Sequence, residues 1–106
     1  MLYVYHINYS VIQSFLDQAT ADLFAGKRTK ANRHAVALWS VARRKLSALD
    51  AAVILGDLRS PPGNQLEPLK GDRKGQHSIR VNDQYRLCFV WTAEGPARVE
   101  FTDYHR

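Results

Sequence analysis

The sequence has little of what disulfide-bonded, zinc-binding or membrane-spanning proteins require. Its 106 residues include one cysteine, Cys88, which excludes an internal disulfide and a thiolate zinc site. Cys88 lies in an apolar strand pattern, where a buried and inert thiol is the usual case, so it is a poor candidate for a nucleophile. The longest unbroken apolar runs have five residues, whereas a transmembrane helix needs about 20. A membrane span is therefore excluded.

The beginning of the chain has no basic segment that leads into a continuous apolar stretch and no small-residue cleavage site. Because a secretory signal has these features, we expect a cytoplasmic protein. A chain of 106 residues has room for one hydrophobic core, which predicts a single domain over residues 1–106. At this size a shallow charged groove forms more easily than a deep pocket, so no cofactor is expected.

Acidic residues are scarce in one part of the chain. Overall, 15 Lys and Arg outnumber 10 Asp and Glu, which gives a net charge of +5. Residues 27–50 hold seven of the basic residues and one acidic residue, Asp50. Apolar residues recur there at spacings of three and four, which predicts a helix capped by Asn32 or Thr29. The predicted buried face consists of Ala35, Leu38, Trp39, Ala42, Leu46, Leu49 and Val53.

The opposite face of this helix carries Arg33, Ser40 and Arg44. Two interpretations of this basic face stay open. It either keeps the helix soluble or contacts phosphates or an acidic protein, since a charge excess constrains partners and solubility but not the fold.

The segments on either side of the basic helix predict a mixed fold. Residues 11–15 favour a short strand, and residues 17–24 favour a short helix that ends at Gly26. Residues 59–64 predict a loop, because two prolines and a glycine continue neither a helix nor a strand ladder.

Apolar and polar residues alternate through the last third of the chain, around Ile79, Leu87 and Phe101. Turn residues at 82–83 and 94–96 separate three strands of this pattern. The sequence therefore predicts an α+β fold, in which two helices pack on one face of a small, mainly antiparallel sheet and leave the other face open.

Metal-binding and nucleotide-binding motifs are absent from the sequence. The histidines share no metal-ligand spacing, and there is no phosphate-binding glycine loop, nucleophile elbow or His-Glu-x-x-His helix. RNA can be cut without a metal, because its own 2′-OH can attack the adjacent phosphate. A protein then supplies a base, an acid and cations for the charge on phosphorus. Candidates are Lys70, Tyr104 and His105 for the proton steps and Arg73 and Arg86 for the charge.

Further cations lie close to these candidates along the chain. Lys74 precedes the first predicted hairpin, and Arg80 lies on the strand next to Arg86. Arg86 alternates with apolar residues, so it faces either water or a ligand. An ordinary polar outer face of a sheet gives the same pattern, and the grouping of the cations is what favours a site.

Two stretches of the sequence resemble a known family. The run from residue 61 to residue 89 reads PPGNQLEPLKGDRKGQHSIRVNDQYRLCF, and the chain closes with Asp103-Tyr104-His105 before its last residue. Both closely resemble the HigB toxins of the RelE/ParE superfamily, and weaker similarity extends the match over about residues 11–105. Because members of the family usually begin close to the position of Val11, residues 1–10 are expected to be an N-terminal extension.

The resemblance implies a RelE-like fold and a bacterial type II toxin, a ribosome-dependent and metal-independent endoribonuclease that cuts mRNA in the ribosomal A site. The implied partners are the 70S ribosome with its mRNA and a HigA-like helix-turn-helix antitoxin, with operator DNA contacted only through the toxin-antitoxin complex. Position by position, the family's catalytic roles fall on Lys70, Arg73, Arg86, Asp103, Tyr104 and His105. RNA contacts are expected from Glu67, Lys74 and Arg80.

One position departs from well-known members, which carry a histidine three residues before the lysine where this chain has Glu67. A carboxylate there could act as a base or orient Lys70, so the division of acid and base roles stays open. Two rival functions also stay open. One is a ParE-like protein that poisons DNA gyrase without catalysis, and the other is an antitoxin-binding or nucleic-acid-binding module with weakened catalysis.

Overall fold

The computed structural model of the chain describes residues 11–103. The expected extension at residues 1–10, together with Tyr104 and His105, therefore lies outside the described residues. Within that range two α-helices precede a four-stranded sheet, and short 3-10 turns connect them. The main elements are α1 (Gln18–Ala25), α2 (Trp39–Ala51), β1 (Glu67–Pro68), β2 (His77–Arg80), β3 (Arg86–Thr92) and β4 (Gly95–Thr102). No helix among these residues is both long and apolar enough to cross a membrane.

Helix α1 is capped at both ends by the residues that flank it in the sequence. The Asp17 side chain caps the first turn by accepting a hydrogen bond from the backbone N–H of Thr20 at 2.7 Å. At the other end Gly26 adopts φ 79°, a left-handed conformation that favours glycine, and its N–H bonds back to the last turn. The predicted short helix over residues 17–24 is confirmed.

The predicted basic helix begins later than its pattern indicates. Residues Arg33–Leu38 form a 3-10 segment, and the α-helix starts only at Trp39. Asn32 precedes the 3-10 segment, but its side chain accepts from Thr29 N–H at 2.9 Å and donates to the Lys27 carbonyl at 2.7 Å. The Asn32 side chain therefore stabilises the preceding loop and does not cap the helix, and Thr29 Oγ1 accepts the Asn32 N–H at 3.3 Å in that loop, ahead of the 3-10 segment.

The end of α2 corrects a second prediction. Val53 was expected on the buried face, but the helix ends at Ala51 and the Val53 side chain is 54% exposed. The Asp57 carboxylate accepts the backbone N–H groups of Val53 and Ile54, at 2.9 and 3.2 Å, and so starts a new 3-10 turn. The helical periodicity stops where this competing cap begins.

The sheet is an antiparallel meander in the order β1-β2-β3-β4. Strands β2 to β4 confirm the predicted alternation, although β4 already begins at Gly95, inside the turn predicted at residues 94–96. Strand β1 was not predicted, because two residues that include a proline show no alternation.

Residues 11–16 run beside β4 without forming the regular strand that was predicted. One parallel bridge joins Phe15 to Val99, and the N–H of Gln13 bonds to the Pro96 carbonyl at 2.8 Å. The N–H of Ile12 instead reaches Asp50 Oδ1 on α2 at 2.9 Å, which draws the segment toward the helices. The sheet is therefore mainly antiparallel, with an irregular parallel edge.

The hydrophobic core lies between the helices and one face of the sheet. Leu87 and Phe89 on β3 are fully buried there against Leu46 and Leu49 of α2. The remaining core residues are Leu23, Ala35, Ala42, Ala52, Leu58, Ile79, Val81, Val99 and Phe101. The prediction that both helices cover one face of the sheet is confirmed.

Several cations of residues 27–50 have partners within the fold. The Arg43 side chain donates to the carbonyl groups of Leu23 and Phe24, at 3.1 and 3.4 Å, and so closes the end of α1. The Arg28 guanidinium lies 4.9 Å from the centre of the Trp39 ring, a cation–π contact. These contacts give part of the basic surface a structural role.

Candidate active site

One row of side chains crosses the sheet on the face turned away from the helices. Glu67 pairs with Ser78, Ser78 with Cys88, and Cys88 with Glu100, each on the next strand. Because directly paired residues project from the same side of an antiparallel sheet, all four belong to this face. Ser78 and Cys88 are fully buried, so the prediction that this face is open is wrong at its centre.

Arg86 is held at one side of this row. Its Nε donates to Ser78 Oγ at 2.7 Å, and its Nη2 donates to the Gln65 carbonyl at 2.8 Å. The same Nη2 lies 3.6 Å from Glu67 Oε1, and the Arg86 side chain is only 12% exposed. Contacts on two sides of a planar guanidinium fix both its position and its orientation.

Arg73 is held at the other side of the row. It ends the short 3-10 turn Gly71–Arg73 in the connection between β1 and β2. Its Nη1 donates to Glu100 Oε1 on β4 at 3.0 Å and to Gln76 Oε1 at 3.2 Å. The connection therefore bends back across the sheet, and two arginines from different parts of the chain each face a carboxylate.

Cys88 lies between the residues that bind the two arginines. Burial raises the pKa of its thiol to about 11, and Glu100 adds to this effect while Arg73 and Arg86 oppose it. The thiol therefore stays protonated at neutral pH, which agrees with the expectation of an inert cysteine. All three charged side chains act on one atom at the centre of the row.

The lysines predicted for the site are exposed and lie on either side of the turn that carries Arg73. Lys70 is exposed and directly precedes the 3-10 turn, and its carbonyl accepts the N–H of Arg73 at 3.2 Å. Lys74 is exposed just after the same turn. This backbone hydrogen bond holds Lys70 and Arg73 in the same short turn.

Arg80 and Asp103 lie toward the end of the sheet where β4 stops. Arg80 pairs with Arg86 across β2 and β3, and it forms an ion pair with Asp83. Asp103 follows the strand partner of Arg86, and its Oδ2 accepts a hydrogen bond from Gln84 at 3.0 Å. The structure therefore brings the start of the Asp103-Tyr104-His105 sequence to the Arg86 end of the sheet.

Sequence reasoning missed Glu100, Gln76 and Gln65 as parts of this arrangement. Glu100 lies between buried Val99 and Phe101, so the alternation places it on the outer face like many solvated residues. The place of Glu100 in the site depends on its pairing with Cys88 and on its contact with Arg73, which lies 27 positions away in the chain. Across residues 11–103, no three His, Cys, Asp or Glu side chains gather as a metal-ligand group.

Comparison with known proteins places this sequence in a family. Residues 13–105 match the model of HigB-like toxins, described as RelE-like toxins of the type II toxin-antitoxin system HigB.

Three relatives were compared individually. Toxin HigB-1 of Vibrio cholerae is 54% identical over 59% of this chain and 65% of its own length. An uncharacterized protein of Haemophilus influenzae is 48% identical over 51% of this chain and 54% of its own. Endoribonuclease HigB of Proteus vulgaris is 36% identical over 58% of this chain and 65% of its own. The matches span less than two thirds of each relative. Since the family model covers most of the chain, the chain belongs to the HigB-like family of RelE-like type II toxins.

Proposed function

We propose that this chain is the toxin of a type II toxin-antitoxin pair, an endoribonuclease that cuts mRNA in the A site of the ribosome. The observation that carries the proposal is the pair of arginines held by carboxylates on the outer face of the sheet. Lys70 is exposed and directly precedes the turn that carries Arg73, and the Asp103-Tyr104-His105 sequence begins at the Arg86 end of the sheet. A relative from Proteus vulgaris carries the name endoribonuclease, which supports the same activity for this chain.

Cleavage requires two proton transfers and stabilisation of charge on phosphorus. The 2′-oxygen of the RNA bonds to the adjacent phosphorus while the bond to the 5′-oxygen of the next nucleotide breaks. Lys70 or His105 takes the 2′-OH proton, and His105 or Lys70 gives a proton to the leaving 5′-oxygen. The products are a 2′,3′-cyclic phosphate and a 5′-hydroxyl end.

The arginines stabilise the additional negative charge of the phosphorane in this proposal. A guanidinium suits this role because it stays protonated and offers several donors in one plane. Glu67 faces Arg86 at 3.6 Å, so we assign it to orienting that guanidinium rather than to removing a proton. We assign Tyr104 to stacking on a base of the mRNA.

The proposed partners follow from the family and from the substrate. A type II toxin is paired with an antitoxin, for which we propose a HigA-like helix-turn-helix protein. The 70S ribosome would hold the mRNA against the shallow outer face of the sheet, and operator DNA would be reached only through the toxin-antitoxin complex.

The test is a cleavage assay with the purified chain, ribosomes and a defined mRNA, followed by mapping of the new 5′ ends. We expect cuts within codons only when ribosomes are present. Lys70→Ala should lower the cleavage rate by about 10²-fold or more, because it removes one proton-transfer group. Lys27→Ala removes another exposed lysine, outside the site, and should leave the rate within about threefold.

Three other outcomes would contradict the proposal. DNA breaks with intact messages would indicate a gyrase poison of the ParE kind. Antitoxin binding without cleavage of any message would indicate a module with weakened catalysis. Equal cleavage by both lysine variants would remove Lys70 from the mechanism.

A further inference from the structure

Glu100 is a largely buried carboxylate of the outer face that neither the sequence motif nor the proposed mechanism uses. Its side chain is 18% exposed and lies in the middle of β4. Its strand neighbours Val99 and Phe101 point into the core, so Glu100 projects away from the helices. A carboxylate there faces the site where an RNA phosphate would bind, and by charge alone it opposes that binding.

The partner of Glu100 explains why a carboxylate is present. Arg73 comes from the connection between β1 and β2, whereas Glu100 lies on the strand at the far edge of the sheet. The connection therefore reaches across the outer face of the sheet, where Arg73 donates a 3.0 Å hydrogen bond to Glu100. Gln76 Oε1 accepts from the same Nη1 at 3.2 Å, so the guanidinium is oriented by two acceptors.

The backbone links this contact to Lys70. The Arg73 N–H donates to the Lys70 carbonyl at 3.2 Å, and the Lys74 N–H donates to the Gly71 carbonyl at 3.1 Å. These bonds make residues 70–74 one short turn, in which Gly71 takes a left-handed φ of 62°. A contact that holds Arg73 on the sheet therefore also fixes the turn that begins at Lys70.

We propose that Glu100 is a positioning residue, which holds Arg73 and the turn at residues 70–74 over the sheet in the geometry that RNA cleavage requires. This inference rests on the proposed function, since it assigns Arg73 and Lys70 to the reaction. Glu100 does not touch the RNA in this scheme. Its effect on cleavage passes through Arg73.

The kinetic test is a double-mutant cycle with Arg73→Ala, Glu100→Ala and the combined variant. We expect Glu100→Ala to lower kcat by about 10-fold to 10²-fold, because cleavage slows when Arg73 and Lys70 are displaced. KM should stay within about threefold, because the ribosome still binds the mRNA. The combined variant should be no slower than Arg73→Ala alone, within about threefold. A combined loss equal to the product of the single losses would overturn the proposal.

Two further variants separate positioning from simple destabilisation. Glu100→Gln keeps an oxygen acceptor of the same length, so it should recover most of the kcat that Glu100→Ala loses. Glu94→Gln makes the same change at an exposed carboxylate in the preceding turn and should leave kcat unchanged. Thermal unfolding checks that each variant is folded. A Glu100→Gln variant that is folded yet as slow as Glu100→Ala would overturn the positioning role.

A second measurement tests the contact without the reaction. Nitrogen NMR of the Arg73 guanidinium reports its rotation, which should be slow in the original chain and in Glu94→Gln and faster in Glu100→Ala. Unchanged rotation in Glu100→Ala would overturn the positioning role even if the original chain cuts mRNA. An original chain that cuts no mRNA overturns the proposed function, and the NMR result still decides whether Glu100 holds Arg73.

Discussion

On the helix-covered face of the sheet, Leu87 and Phe89 are fully buried among apolar side chains, and on the opposite face Cys88 between them is equally buried. The causes differ. The first two pack against the helices, whereas Cys88 lies between Ser78 and Glu100, which bind Arg86 and Arg73. Burial alone therefore does not separate core from candidate site in this small domain. What separates them is whether the covering groups are apolar or charged.

The largest expected effect comes from breaking the apolar face. Phe89→Ala removes a fully buried ring and should lower the free energy of unfolding by about 3–5 kcal/mol. Val90→Ala, at the next and only half-buried position, should cost about 1 kcal/mol. Denaturant unfolding at neutral pH measures both. Similar losses at the two positions would contradict the assignment of the core to one face.

Breaking the charged face should affect the reaction more than the fold. Arg86→Gln removes the guanidinium from its contacts with Ser78 and Gln65 and should lower the cleavage rate by about 10²-fold to 10³-fold. The free energy of unfolding should fall by only about 1–3 kcal/mol, the cost of leaving the buried Ser78 hydroxyl without its partner. Cleavage and denaturant assays with the exposed Arg59→Gln as control test this contrast. Full activity in Arg86→Gln would remove the arginine from the mechanism.

The smallest expected effect is the pH dependence of the unfolding free energy that Cys88 contributes, which tests how the charged face buries a thiol. The pKa of the thiol rises from 9.0 to about 11 on folding, so the unfolded chain ionises first as the pH increases. The stabilising effect of this shift is complete below pH 9 and is lost between pH 9 and 11, by about 1 kcal/mol at pH 10. The difference in unfolding free energy between the original chain and Cys88→Ala measures it. A difference that does not change above pH 9 would contradict the buried, protonated thiol.

The sequence predicts those parts of this fold that local chemistry determines. Asp17 and Gly26 mark the two ends of α1 as expected, because each forms hydrogen bonds with backbone groups of the adjacent turn. The alternation around Leu87 likewise identifies the face of β3 that packs on the helices. Where a distant partner competes, prediction fails. Asp50 accepts the N–H of Ile12, which a regular edge strand would otherwise use. This contact joins residues that are 38 positions apart in the chain.

In the candidate site too, some residues could be predicted from the sequence and others depend on distant contacts. Arg73 and Arg86 were candidates from their residue type and from resemblance to a family, and both meet carboxylates on the outer face of the sheet. Neither alternation nor spacing indicates that Glu100 binds Arg73, because that contact depends on the register of β3 with β4 and on the path of the preceding connection. Tyr104 and His105 lie outside the described residues, so their roles stay predictions.

The ion pairs of the outer face also bear on how the proposed binding of RNA would respond to salt. Proteins that neutralise phosphates with solvent-exposed cations release ions from the nucleic acid, and their affinity falls steeply as salt increases. Arg73 and Arg86 already have carboxylates within the fold as counterions. A phosphate that approaches them in the proposed complex meets guanidinium groups whose charge Glu100 and Glu67 already partly balance, so its binding there exchanges fewer small ions. Steep salt dependence would then originate in exposed cations such as Lys70, Lys74 and those of residues 27–50, and the two paired arginines would be less sensitive to ionic strength.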